Sequence, residues 1–110
     1  MKLEFTYLAK IYKVIDGDTV DLIVDLGFFT YKIIRTRLRN INSPEIKEES
    51  GRIARDALRE YLPVGTGIGV TTYKDPTDKY GRWLATLNYN GKDVGEWLIE
   101  NNYAVKKDYG

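Results

Sequence analysis

Three stretches carry residue types at spacings that could do phosphate chemistry. Residues 35–45 read RTRLRNINSPE, with arginines at every second position and a carboxylate, Glu45, just beyond. In a strand, Arg35, Arg37 and Arg39 share one face while Thr36 and Leu38 share the other, so one side is cationic and the other can be core. A row of arginines alone is most often a solvated face. The ending adds to it: Ser43-Pro44 forces an extended turn that brings Asn42 and Glu45 near the strand terminus. There they lie beside guanidinium forks that match phosphate oxygens in geometry and charge. The second stretch is IDGDTV, 15–20. Asp16-Gly17 is explained by turn chemistry alone, whereas Asp18, entering a strand, is less so and could offer a hard cation an oxygen ligand. The third, DKYGR at 78–82, reads first as a polar loop with a glycine turn, yet it delivers Arg82 to a strand start.

Composition narrows the chemistry. The chain has 110 residues, 43% of them hydrophobic, which suits a single domain over 1–110 with one core. Formal net charge is +1, so anion binding must come from local clustering. With no cysteine there are no disulfides, thiolate nucleophiles or Cys-type metal sites. With no histidine there is no imidazole base and no His-ligated zinc, and acid–base work falls to Asp, Glu, Lys or Tyr. The N-terminal MKLEFTYLAKIYKV alternates apolar and polar residues and is no signal peptide. No apolar run is long enough for a membrane helix. A cytoplasmic location, no membrane partner and a monomer are the expectations, with an already removed leader left open.

The elements that must position these residues are mainly strands. Residues 5–15 and 19–26 are β-branched and aromatic-rich around the Asp16-Gly17-Asp18 turn, which predicts a hairpin. A third strand is expected over 29–41. Ile53, Ala54, Ala57, Leu58, Tyr61 and Leu62 then form an amphipathic stripe, with Ser50 as N-cap and Pro63 as terminator. Strands follow at 66–73 and 82–89 around a loop at 75–81, and Asn90-Gly91 ends the fifth. Asp93 with Glu96 is a capping-box variant opening a second helix on which Val94, Trp97 and Leu98 can pack inward. The order β-β-β-α-β-β-α predicts a mainly β fold with helices, a five-stranded OB-type barrel.

IDGDTV, R-x-R-L-x-N-I-N-S-P-E and D-K-Y-G-R, in that order with a helix between the last two, resemble the staphylococcal nuclease family. The resemblance runs over about residues 7–105 and includes the closing V-x-x-x-L-I-x-x-x-x-A at 94–104. It implies a calcium-dependent phosphodiesterase on an OB barrel, acting on DNA or RNA. By that likeness Asp18 is a metal-ligating aspartate with Asp16 as its acidic neighbour, and Ser43 offers the metal a backbone carbonyl. Arg37 and Arg82 hold the scissile phosphate, Glu45 activates water, and Lys79 and Tyr80 touch a neighbouring phosphate. The chemistry is self-consistent without histidine: a cation and two arginines neutralise a five-coordinate transition state, and a carboxylate serves as base.

The chain departs from the family pattern at Asn42, where the family has a second metal-binding aspartate. An amide oxygen can ligate calcium but adds no negative charge; the net loss is roughly 1–3 kcal/mol, about 10- to 100-fold in ion affinity. The Glu45–Gly51 loop is short, and the family's base-stacking tyrosines have at most Tyr109 as a counterpart. A second reading is a non-catalytic OB module binding nucleic acid or peptide, its metal site weakened by Asn42. A third is a structural subunit whose arginine face meets an acidic protein.

Overall fold

The computed structural model describes residues 5–73 and 82–107. The chain order is β1 (Phe5–Asp16), β2 (Thr19–Asp25), β3 (Tyr31–Leu38), β4 (Ile41–Asn42), α1 (Glu49–Tyr61), β5 (Gly67–Tyr73), β6 (Trp83–Tyr89), β7 (Lys92–Asp93), α2 (Val94–Glu100) and β8 (Val105–Lys106). β1 pairs antiparallel with β2 on one side and β5 on the other, β2 with β3, and β5 with β6. The sheet then closes on itself, because β3 and β6 pair in parallel from Thr36↔Trp83 to Leu38↔Ala85. The result is the expected OB-type barrel of five long strands with two helices; closure removes the free edges an open sheet would expose.

Alternation fills the barrel. Val20, Leu22 and Val24 of β2, Ile68 and Val70 of β5, and Ala85 and Leu87 of β6 all point inward. In β1 the inward residues are Ala9, Ile11 and then Val14. The broken period has a cause: the ladder slips between Ile11 and Lys13 and again between Val14 and Asp16. Such bulges bend a strand and increase its twist, and the second one turns the chain at the barrel rim just before Asp18. Thr36, wholly buried, satisfies its hydroxyl by donating to Val20 O at 2.7 Å. Leu58 and Leu62 cap the core from the α1 side, Val94 and Leu98 from α2. Each such aliphatic side chain contributes about 1.5–3 kcal/mol by leaving water.

Three boundaries differ from the sequence expectation. β3 spans 31–38, not 29–41. Phe28 and Phe29 lie in a turn at φ 55° and 58°, and Asn40 at φ 66° breaks the strand before β4. Arg39 therefore leaves the arginine row; its guanidinium sits 4.1 Å from the Tyr73 ring centroid. The α1 helix starts at Glu49 with Glu48 as N-cap and no side-chain cap bond, so Ser50 sits inside the first turn. The reason is a tight turn just upstream, in which Glu48 N donates to Glu45 O at 2.9 Å and winds the chain one step early. The buried stripe of α1 is Gly51, Ala54 and Leu58, continued by Leu62, and Ile53 lies beside it at 52% exposure. The α2 cap matches expectation, Asp93 Oδ1 accepting from Glu96 N at 3.0 Å. Trp97, however, is half-buried and stacks on Tyr61 with ring centroids 3.9 Å apart, docking α2 against the end of α1. No helix among the described residues is long and apolar enough to cross a membrane.

Candidate active site

The site is built around the β1–β2 corner. Gly17 is required there by close approach: a Cβ would lie 2.8 Å from Ser43 Cβ and 3.1 Å from Ala54 Cβ. The corner can press against the chain after β4 and against α1 only without a side chain. Asp18 N donates to Asp16 Oδ1 at 3.0 Å, and Leu38 N donates to Asp18 O at 2.8 Å, which ties the corner to the end of β3. The Asp18 carboxylate is buried and meets Ser43, Arg37 and Thr19 as well as Asp16. Oδ2 accepts from Ser43 N at 3.0 Å and faces Arg37 Nη2 at 3.4 Å; Oδ1 accepts from Thr19 Oγ1 at 3.3 Å.

Arg37 is the centre of the arrangement. Its side chain is 11% exposed, Nη1 donates to Leu38 O at 2.6 Å, and Nη2 donates to Asn42 Oδ1 at 3.2 Å as well as facing Asp18. The β2–β3 register sets Thr19 opposite Arg37, and the parallel β3–β6 pairing brings the start of β6 alongside. Arg82 thereby reaches Thr19 Oγ1 with Nη1 at 3.4 Å. One network thus links Arg82, Thr19, Asp18, Arg37, Asn42 and Ser43, although Asp18 and Arg82 lie 64 positions apart in the chain.

Glu45 stands differently. Its carboxylate is 70% exposed and is ion-paired with Lys47 Nζ at 3.0 Å. What is fixed is its backbone: a Cβ on Gly51 would overlap the Glu45 carbonyl and lie 2.8 Å from Pro44 O. The first turn of α1 is therefore packed directly on the Pro44-Glu45 peptide. Arg35 shares the face of Arg37, but its guanidinium is engaged by Asp21 in a two-pronged bond at 2.8 and 3.0 Å. Lys79 and Tyr80 lie outside the described residues.

The two aspartates at the corner are driven apart in acidity. Burial and the neighbouring Asp18 raise the Asp16 carboxyl above the ordinary carboxylate value. Burial alone would raise Asp18 too, but the hydrogen bond from Asp16, the Arg37 charge and the Ser43 N–H outweigh it and hold Asp18 low. Asp18 is thus the more acidic of the pair. The Asp18 carboxylate, the Asn42 amide and the Asp16 carboxyl are oxygen donors of the kind calcium takes. Among the described residues no group of three or more His, Cys, Asp or Glu side chains gathers for a metal. These donor types suit a hard cation, and Asn42 adds no negative charge to them.

Sequence reasoning overlooked Thr19, which joins Asp18 to Arg82, and the packing roles of Gly17 and Gly51. Thr19 follows Asp18 immediately and was visible as a hydroxyl beside a carboxylate. The glycines carried no signal beyond turn and helix context.

The fold and the site define a class: an OB-type barrel with a buried aspartate and two arginines converging at its rim. A family model described as staphylococcal nuclease homologue matches residues 35–110. An uncharacterized endonuclease of Escherichia coli O157:H7 is 32% identical over 92 residues, covering 83% of this chain and 55% of the relative. A micrococcal nuclease of Shigella flexneri is 31% identical over 108 residues, covering 94% of this chain and 56% of the relative. A staphylococcal-like nuclease of Arabidopsis thaliana, CAN1, is 30% identical over 102 residues, covering 93% of this chain and 28% of the relative. The chain belongs to the staphylococcal nuclease family, and it spans about half the length, or less, of these curated relatives. The Asp16–Asp18 corner precedes the segment the family model matches.

Proposed function

We propose that this chain is a calcium-dependent nuclease hydrolysing phosphodiester bonds of DNA or RNA. The observation that carries the reading is the single network in which Arg37 holds Asp18 and Asn42 while Arg82 joins through Thr19. Two guanidinium groups beside a buried carboxylate are suited to a phosphate that gains charge in its transition state, and their partners keep them in place before substrate arrives. Asp18, Asn42 and the Ser43 carbonyl would hold the cation, with Asp16 beside them; when bound, calcium supplies charge neutralisation at the phosphate. Glu45 accepts the proton of the attacking water, which requires its carboxylate to leave Lys47. That ion pair is exposed on both sides, so water can readily replace it. Lys79 and Tyr80 are proposed to steady a flanking phosphate.

A second reading, a non-catalytic module that binds nucleic acid or a peptide, is favoured by the amide at position 42 and by the Glu45–Lys47 pair. One experiment separates them: single-stranded DNA and RNA are incubated with the protein in calcium and then in chelator, beside E45Q. The nuclease reading expects cleavage that stops with chelator and falls about 10²- to 10⁴-fold in the variant. Binding without cleavage in any condition would favour the second reading, and cleavage indifferent to both treatments would remove the mechanism.

A further inference from the structure

The hairpin joining β2 to β3 ends in Gly27-Phe28-Phe29-Thr30, closed by Thr30 N donating to Gly27 O at 2.9 Å. Both central residues have positive φ, 55° and 58°, the signature of a type I′ turn. Asn-Gly is the pair that suits such a turn, and a bulky side chain at either position is strained. Yet both rings stand in water, Phe28 at 100% and Phe29 at 96% exposure. Neither ring belongs to the core, so no core packing offsets that strain.

The tip is continuous with the phosphate site. The β2–β3 register places Thr19 across from Arg37, Asp21 from Arg35, Ile23 from Ile33 and Asp25 from Tyr31. Alternation therefore puts Arg37, Arg35, Ile33 and Tyr31 in one outward column on β3. Ile33 and Tyr31 are 54% and 59% exposed. From Arg37 to Tyr31 the column covers about 20 Å at about 3.3 Å per residue, and the turn with Phe28 and Phe29 lies just beyond. Lys10 of β1 lies beside Ile23, and the same face opens into a groove of about 690 Å³ floored by the backbone of Gly67 and Gly69. Cations near one end and flat aromatic surfaces at the other are what an unpaired nucleic acid strand uses, because every base has a face to stack. A membrane surface is less well matched, since the residues flanking the tip, Asp25 and Lys32, cancel in charge.

We infer that Phe28, Phe29 and the outward face of β3 form a stacking track for unpaired bases of the strand running away from the phosphate site. The inference rests on reading that site as one for nucleic acid phosphodiesters. The test measures anisotropy of labelled oligothymidylates of 2 and about 12 residues, the longer within the site size of an OB fold. It compares wild type with F28N/F29G and F28Y/F29Y. The Asn-Gly variant is expected to melt at or above the wild-type temperature, since it suits the turn, while losing about 5- to 150-fold in the ratio of 12-mer to dinucleotide affinity. The tyrosine variant keeps that ratio. The track is refuted if F28N/F29G leaves the ratio unchanged, and equally if it instead abolishes vesicle binding or self-association while 12-mer binding persists. Cleavage by wild type, scored separately, tests the nuclease reading, so the two ideas fail independently.

Discussion

Replacing Gly51 with alanine should destabilise this protein, against the usual expectation for a glycine within a helix. In an open helix interior the change stabilises by up to about 1 kcal/mol, and less in the first turn, where Gly51 sits. Here the added methyl meets backbone: it overlaps the Glu45 carbonyl and comes within 2.8 Å of Pro44 O. Overpacking a tight site costs typically 1–3 kcal/mol, and the upper end applies because a peptide group, unlike a side-chain tip, cannot rotate away. The net loss is about 2 kcal/mol, a fall of roughly 8–12 °C in Tm for a domain of this size. Relief requires the Glu45-Ile46 peptide to move. A displacement of about 1 Å in a positioned catalytic group costs on the order of 10²-fold in rate. Thermal denaturation followed by circular dichroism, with kcat measured well below the melting point, checks both parts. A variant that melts at or above wild type would refute the packing claim. One that melts lower while keeping full kcat would show that Gly51 does not position Glu45.

Asn42→Asp should raise calcium affinity about 10- to 100-fold by calorimetric titration, because it returns a negative charge to the donor set; part of the gain goes to Arg37, already 3.2 Å from that side chain. The corner aspartates should respond to pH with opposite signs. Asp18 is held below the ordinary value of 3.8, so its contribution is present above that pH and is lost as pH falls through its folded value. Asp16 is held above 3.8, so its contribution is present below that pH and is lost as pH rises through its folded value. D18N should therefore lower Tm at pH 7 and D16N should raise it, with both differences shrinking at pH 3; shifts of the same sign at pH 7 would contradict the assignment. Arg35→Ala should cost about 1–3 kcal/mol in denaturant titration, because the Asp21 carboxylate, only 11% exposed, would lose its two-pronged partner.

Much of this was legible along the chain. The Asp16-Gly17-Asp18 corner, the alternation that buries Thr36 and Leu38, and the Asp93 cap are local matters. Turn chemistry, the two-residue period and a cap bond three residues long are all determined by neighbours in sequence. The strand and helix order was enough to indicate an OB-type barrel, because few closed sheets admit a helix between the third and fourth long strands.

Other features rested on backbone turns and close contacts that no periodicity shows. The arginine row ended at Arg37 because Asn40 took a left-handed turn and the Tyr73 ring claimed Arg39. The helix began at Glu49 because a turn anchored on Glu45 wound the chain early. Thr19 became the link between Asp18 and Arg82 through barrel closure, which no periodicity encodes. Gly51 was needed because the Glu45 carbonyl, in the turn just before the helix, occupies the space where its side chain would be. Local pattern determines which residues face inward or turn the chain; hydrogen bonds and close contacts between remote segments depend on how a curved sheet shuts, and that exists only in three dimensions.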